Sequence, residues 1–245
     1  AIDTQALSAA FANLTGGQWL AALALTAASF WAVGRYDAVL HSHFATRTPP
    51  AVARRAGVCA IAVSQTLGLG LISGAILRWR MLPEISLWQA TRLTAAVALS
   101  FLASWAVVTS MVLVVLPDAP YRAWAFVTLC LALAVAGFAI AAPQPRWLRW
   151  RLPNGFTLTR LLGLCAIDTL AASLAFMALL PAGLDLPYAS LLPAFLLALG
   201  AGLALGTPGG MGAFEVTLIA LLPTGESPEL LAAILAWRLV YYALP

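Results

Sequence analysis

The stretch Gly206-Thr207-Pro208-Gly209-Gly210-Met211-Gly212-Ala213-Phe214-Glu215 puts a glycine- and proline-rich break, closed by a carboxylate, inside an otherwise almost uninterrupted apolar sequence. The surrounding chain is 62% hydrophobic and 9% charged, where a soluble domain carries about 25% charged residues. Such a composition belongs in a bilayer. There, broken backbone and charge are tolerated only where protein or a water-filled cavity surrounds them. The break is therefore the place to expect a transport-type site. The fold class that follows is an all-α polytopic integral membrane protein: a single membrane domain over residues 1–245, with six to eight transmembrane or re-entrant helices and two glycine-broken elements.

Measured against about 20 residues per span, the apolar runs fall at 17–39, 56–77, 91–116, 121–142, 159–181, 189–206, 211–222 and 229–245. Pro117, Pro120, Pro143, Pro145, Pro181, Pro187 and Pro223 punctuate their boundaries. Trp19, Trp79, Trp88, Trp124, Trp147 and Trp150 lie near segment ends, as an interfacial aromatic belt requires. The run at 211–222 is too short to cross a core of about 30 Å, so with 189–206 it is expected to form a hairpin or a broken pair around the glycines. The chain begins without Met and stops inside an apolar run, which reads as a fragment of a longer protein cut at both ends.

All 13 basic residues are Arg. Without Lys there is neither a Walker A loop nor a Schiff-base amine, so ATP-driven chemistry within this chain is excluded. The Arg residues are divided among loops, which speaks against nucleic-acid binding. Arg146, Arg149, Arg151 and Arg160 mark the 143–160 loop as cytoplasmic. Counting back puts 78–92, with Arg78, Arg80 and Arg92, on the same side. The loop at 40–55, with Arg47, Arg54 and Arg55, then obeys the rule only if 56–77 dips into the bilayer and returns. The run Ser64-Gln65-Thr66-Leu67-Gly68-Leu69-Gly70 supplies the polar, glycine-rich break that a re-entrant hairpin needs. A spanning 56–77 is the alternative.

Candidate site residues follow from charge at membrane depth. Glu215 falls in the first turn of the short segment, where a carboxylate suits the helix dipole and also suits a cationic ligand. The N–H groups of Gly209, Gly210 and Gly212, behind Pro208, can face an anion. Arg238 lies mid-segment with Glu215 as its natural partner. Asp168, the acid inside 159–181, is either a functional carboxylate or a structural hydrogen-bonding partner. Arg78 and Arg80 are positive-inside anchors or contacts for lipid phosphate. Arg35-Tyr36-Asp37 reads as an interfacial anchor with a local ion pair. Cys59, Cys130 and Cys165 read as small buried hydrophobes, and His41 and His43 have no third metal ligand in sequence. No metal, cofactor or catalytic constellation is implied.

Four elements together resemble the transmembrane region of the lysylphosphatidylglycerol synthase/flippase family (the multiple peptide resistance factor type) and related inner-membrane proteins: Arg35-Tyr36-Asp37; Ser64-Gln65-Thr66-Leu67-Gly68 running to Ser73-Gly74 and Arg78-Trp79-Arg80; Thr207-Pro208-Gly209-Gly210-Met211-Gly212-Ala213-Phe214-Glu215; and Arg238-Leu239-Val240-Tyr241-Tyr242. The resemblance implies a multi-pass protein of a bacterial inner membrane that moves aminoacylated phosphatidylglycerol to the outer leaflet. Its partners would be a phospholipid substrate, the membrane and a second copy of the chain in a homo-oligomer. The alternative it implies is the membrane half of a phosphatidylglycerol lysyltransferase whose catalytic domain lies outside this chain. A headgroup with a phosphate and an ammonium would meet the glycine N–H groups, Arg78, Arg80 and Arg238 with the first, and Glu215 and Asp168 with the second.

Overall fold

The computed structural model describes residues 4–67, 69–116, 121–141, 153–181, 184, 186–206, 208–225 and 227–243. Gly68, Pro117, Pro120, Pro143, Pro145, Arg146, Trp147, Arg149, Trp150, Arg151 and Thr207, on which parts of the sequence reading rest, lie outside the described residues. All regular structure within them is helical. Four helices are long and apolar enough to cross a bilayer: α2 (Gly16–His43), α5 (Leu87–Val115), α7 (Gly155–Ala178) and α8 (Tyr188–Leu205). The remainder are α1 (Thr4–Ala12), α3 (Pro50–Leu67), α4 (Gly70–Met81), α6 (Arg122–Ala141), α9 (Ala213–Leu221) and α10 (Pro228–Arg238). A 3-10 turn over Pro208–Gly210 and a π-turn over Leu239–Ala243 complete the order. The chain is an all-α membrane protein.

Polar caps rather than apolar residues set where the long helices begin. Thr15 and Gln18 exchange backbone and side-chain hydrogen bonds at the start of α2, and Ser86 and Gln89 do the same at α5. Asn154 accepts from the Thr157 N–H at 2.8 Å to start α7. The caps Ser86 and Asn154 each lie five residues upstream of the apolar runs expected at 91 and 159, so α5 and α7 start about a turn earlier than hydropathy indicates. At its other end α2 continues past Asp37 to His43 because, as shown below, Asp37 is neutralised within the bundle rather than presented to the interface.

The expected break in 56–77 is present. α3 ends at Leu67, Leu69 sits in the left-handed region (φ 51°), and α4 starts at Gly70. The two helices form an antiparallel hairpin whose base and tip are both identifiable. Gly57 of α3 and Arg78 of α4 both touch Asp37. At the other end the Ser64 hydroxyl donates to the Gly70 carbonyl (3.2 Å) and accepts from Ser73 (3.2 Å). The approach at the base is close enough to exclude a side chain: a Cβ on Gly57 would overlap the side chain of Asp37.

A second hairpin is built from α8 and α9. Gly202 faces Gly210 across it and Phe195 packs edge-on against Phe214 (5.4 Å). The turn is made by Gly206, Gly209, Gly210 and Gly212, all at positive φ (60°, 60°, 66° and 84°), a conformation that costs an L-residue roughly 1–2 kcal/mol.

The two hairpins point at each other. α2 and α7 are antiparallel: Gln18, at the start of α2, donates to the Leu180 carbonyl just past the end of α7 (2.8 Å), while Leu161, early in α7, packs with Val39 and Leu40 late in α2. The first hairpin has its base beside the C-terminal end of α2. The second has its base beside the C-terminal end of α7, where Tyr188 and Ser173 share a hydrogen bond of 2.8 Å. The order helix, hairpin, helix therefore occurs twice, in opposite senses, with α6 between. The basic residues sort with this polarity. Arg47, Arg54, Arg55, Arg80, Arg92 and Arg160 fall at the end of the bundle where the first hairpin is based, and among the described residues only Arg122 starts a helix at the other.

Candidate functional site

The hairpin tips meet about halfway along the long helices. Ser29, which marks this level on α2, lies 14 residues from the end of that helix, or about 21 Å at 1.5 Å per residue. Thr66, at the tip of the first hairpin, donates to the carbonyl of Tyr242 in the π-turn (3.4 Å). The tips, α5, α7 and the π-turn line an open-sided cavity of about 420 Å³, inside the roughly 300–1,000 Å³ typical of small-molecule sites. Its wall is mostly apolar, from residues such as Val97, Leu102 and Leu199, with Ser64, Gln65, Arg78, Asp168 and Tyr242 as the polar groups. The Gln65 side-chain oxygen has no hydrogen-bond partner among the described residues.

Three carboxylates are held inside the bundle, each differently. Asp37 is fully buried and forms an ion pair with Arg78, itself 1% exposed. His41 lies 3.4 Å from the other carboxylate oxygen, and a second guanidinium nitrogen of Arg78 donates to the Thr94 hydroxyl (3.1 Å). One Arg thus ties α2, α4 and α5 together. This corrects the reading of Arg35-Tyr36-Asp37 as an interfacial anchor with a local pair. Arg35 instead lies over the Trp31 ring at 4.9 Å, and the buried Tyr36 donates to Ser100 (3.0 Å). It also separates Arg78 from Arg80. Arg78 is committed to Asp37, whereas Arg80 is exposed and lies over Trp79 at 5.4 Å. Two residues apart on a helix, they face different surroundings.

Glu215 and Arg238 form the second ion pair, half-buried beside the cavity. Each also grips the glycine turn. Glu215 accepts the Gly212 N–H (2.8 Å), and Arg238 donates to the Gly209 carbonyl (2.9 Å). The Gly212 N–H, expected to face an anion, is bonded in this conformation to the chain's own carboxylate, Glu215. Pro208 opens the 3-10 turn, and Gly209 and Gly210 bring it against α8 and α10. At Gly209 a Cβ would sit 3.0 Å from the Arg238 guanidinium, so the absence of a side chain makes room for that contact.

Asp168 is buried and has no cation beside it among the described residues. Its Oδ1 accepts from the Ser29 hydroxyl and from Tyr241 (3.3 Å), and Ser29 and Tyr241 are themselves 2.7 Å apart. Sequence reasoning did not single out Ser29 and gave Tyr241 no role beyond its place in the Arg238–Tyr242 element, because a Ser among alanines and a Tyr near a segment end are what helix packing alone produces. The signal that would have found Tyr241 is its place three residues after Arg238. Tyr241 is positioned by Trp237, fully buried and stacked between Phe214 (5.1 Å) and Tyr241 (4.9 Å), with its indole N–H donated to the Ala172 carbonyl (3.1 Å).

A second cavity, of about 400 Å³, opens at the basic end, where Thr46 and Arg47 meet Glu84, Gln89 and Arg92. It brings the 44–47 and 84–92 segments together, as a returning 56–77 requires and a spanning one does not. Of the cysteines only Cys165 is buried; Cys59 and Cys130 lie on outward helix faces, which corrects the reading of all three as buried. His41 is an ion-pair neighbour whose other ring nitrogen meets the Thr46 hydroxyl at 2.7 Å.

No family model matches the chain. It is similar to the uncharacterized protein slr0712 of Synechocystis sp., with 28% identity over 261 aligned residues that cover 98% of this chain and 80% of that protein.

Proposed function

We propose that this chain translocates a phospholipid from the inner to the outer leaflet of a bacterial inner membrane, with aminoacylated (lysyl) phosphatidylglycerol as the cargo class. The observation that carries the reading is the pair of opposed hairpins whose tips line one largely apolar cavity at mid-depth, with a few polar groups converging on it. Broken helices meeting at the midplane are the arrangement by which membrane transporters bring backbone dipoles and charged side chains to a substrate without exposing them to lipid. With the hairpins re-entrant, the membrane-embedded elements are α2, the first hairpin, α5, α6, α7, the second hairpin and α10, seven in all. The basic end faces the cytoplasm.

In this reading the headgroup passes between the tips while the acyl chains stay in lipid. The Glu215–Arg238 pair is the group that opens. Once separated, Arg238 meets the phosphodiester and Glu215 the headgroup ammonium, and the Gly209 carbonyl and Gly212 N–H they release become part of the path. The Asp37–Arg78 pair stays closed and holds the first hairpin to α2 and α5. Arg80, exposed at the basic end, contacts lipid phosphate there.

Reconstitution into liposomes with a fluorescent lysyl-phosphatidylglycerol, read by quenching of the outer leaflet, tests the proposal. Wild-type protein should equilibrate the lipid between leaflets, and Glu215→Ala should not, while keeping its helical content. Undiminished exchange by Glu215→Ala removes that residue from the path, and no exchange by the wild type ends the proposal.

A further inference from the structure

We infer that Asp168 is a proton-exchange site at which a proton and the cationic headgroup of a lipid compete, so that the two cross the membrane in opposite directions. The inference rests on the translocation reading above and supplies its driving force.

The argument is one of charge balance at depth. Of the three carboxylates inside the bundle, Asp37 and Glu215 each have an Arg. Asp168 has two hydroxyls, and both act on the same oxygen, Oδ1. No described residue holds Oδ2. The groups facing Asp168 are few: on α7 itself Cys165, on α2 Ser29, and on the π-turn Tyr241 with Tyr242 beside it. Beyond Tyr242 stand Glu215 and Arg238, bonded to each other. Arg78 shares the cavity but is bound to Asp37. α5 and α8 contribute no charged group to this wall.

A carboxylate buried in this way is costly unless a cation accompanies it. Among the described residues none stands beside Asp168, and its carboxylate lines the cavity, so the cation comes through the cavity. A proton is the smallest such cation, and the ammonium of an aminoacylated lipid is the one the cargo brings.

The step balances without electron transfer. As the ammonium reaches Oδ2, the O–H bond of the Asp168 carboxyl breaks, and the proton leaves by the cavity to the side from which the lipid came. The carboxylate and ammonium then form an ion pair. When the lipid departs on the other side, Oδ2 takes a proton from that side. Ser29 and Tyr241 donate to Oδ1 throughout and keep Oδ2 turned to the cavity. One proton moves inward for each positive headgroup moved outward, and no covalent bond to lipid forms.

The test uses the whole chain in liposomes that contain a trapped pH indicator. Lysyl-phosphatidylglycerol offered on one side should acidify that side as it is exchanged, and an imposed pH gradient should drive it uphill. Asp168→Asn should lose both effects while keeping the helical content of the wild type. Asp168→Glu, which keeps an exchangeable carboxyl, should retain both and controls for folding. Lysyl-lipid exchange without proton movement, proton movement unchanged in Asp168→Asn, or drive by a sodium gradient instead would each overturn the inference. A second readout does not depend on transport: the infrared carbonyl band of a protonated carboxyl should be present in wild-type protein and missing in Asp168→Asn. If the wild type moves no lipid, the translocation reading fails, and the absence of this band would overturn the proton site separately.

Discussion

Replacing Arg78 by Ala tests whether the first hairpin is held by the ion pair at its base. The substitution removes the partner of a carboxylate that is 0% exposed, together with the bond to Thr94. It leaves Asp37 with His41 alone, at 3.4 Å. The burial decides the magnitude. An exposed pair would contribute about 0–1 kcal/mol, whereas removing one member of a buried pair costs about 3–5 kcal/mol because the other charge is stranded. Asp37→Ala strands Arg78 and should cost a similar amount. The double variant Asp37→Ala/Arg78→Met removes both charges and should recover most of the loss, since replacing both members of a buried pair is often close to neutral. The assay is unfolding from mild detergent into denaturing detergent, followed by tryptophan fluorescence, for which the chain has nine reporters. A coupling of about 3 kcal/mol or more between the two positions is expected from that comparison. A cost near 1 kcal/mol for Arg78→Ala, or additive costs in the double variant, would refute the reasoning. It would return Arg78 to the role of a lipid contact, in which its loss impairs translocation without affecting stability.

Gly57→Ala should destabilise by about 1–3 kcal/mol in the same assay, because overpacking forces α2 and α3 apart where the added methyl meets Asp37; wild-type stability would show that the approach is looser than described. Gly209→Ala combines positive φ with a methyl 3.0 Å from the Arg238 guanidinium. It should cost about 1–2 kcal/mol from the backbone alone and lower the translocation rate, and an unaffected rate would remove the glycine turn from the path. In a background lacking Cys59, Cys130 and Cys165, single cysteines at positions 47 and 160 should react with an impermeant thiol reagent from the same side of oriented membranes. Labelling from opposite sides would mean that 56–77 spans. Phe195, Phe214 and Trp237 pack edge-on or stacked around the hairpin, so Trp237→Ala should cost about 3–5 kcal/mol, as large-to-small changes of buried aromatics do, and displace both Tyr241 and Arg238. Wild-type stability in that variant would show that the stack does not position them.

Much of the architecture was legible because a bilayer leaves a sequence few options. Uninterrupted apolar runs give helices, and polar breaks inside them must be surrounded by protein. Both breaks, at 68–70 and 206–212, were visible for that reason. Helix starts were less visible, since Ser86 and Asn154 act through hydrogen bonds to the backbone rather than through hydropathy. The pairing of Glu215 with Arg238 was legible as a chemical necessity: two isolated charges of opposite sign in one apolar region.

The pairing of Asp37 with Arg78 was not. Asp37 had Arg35 two residues away, but neighbours at that spacing project from different faces of a helix. The partner it found is 41 residues distant and arrives only when the hairpin folds back.

The sequence by itself therefore determined the solvent, the secondary structure, the two breaks and the charges that would need partners, because each follows from the cost of exposing polar groups to hydrocarbon. Only the tertiary structure decided which charges met, that the hairpins enter from opposite ends, and that Asp168, unlike Asp37 and Glu215, has no cation beside it among the described residues. Those outcomes depend on how helices far apart in the chain are placed against one another. Hydropathy sets how long and how apolar a helix is, and it carries no information on its neighbour.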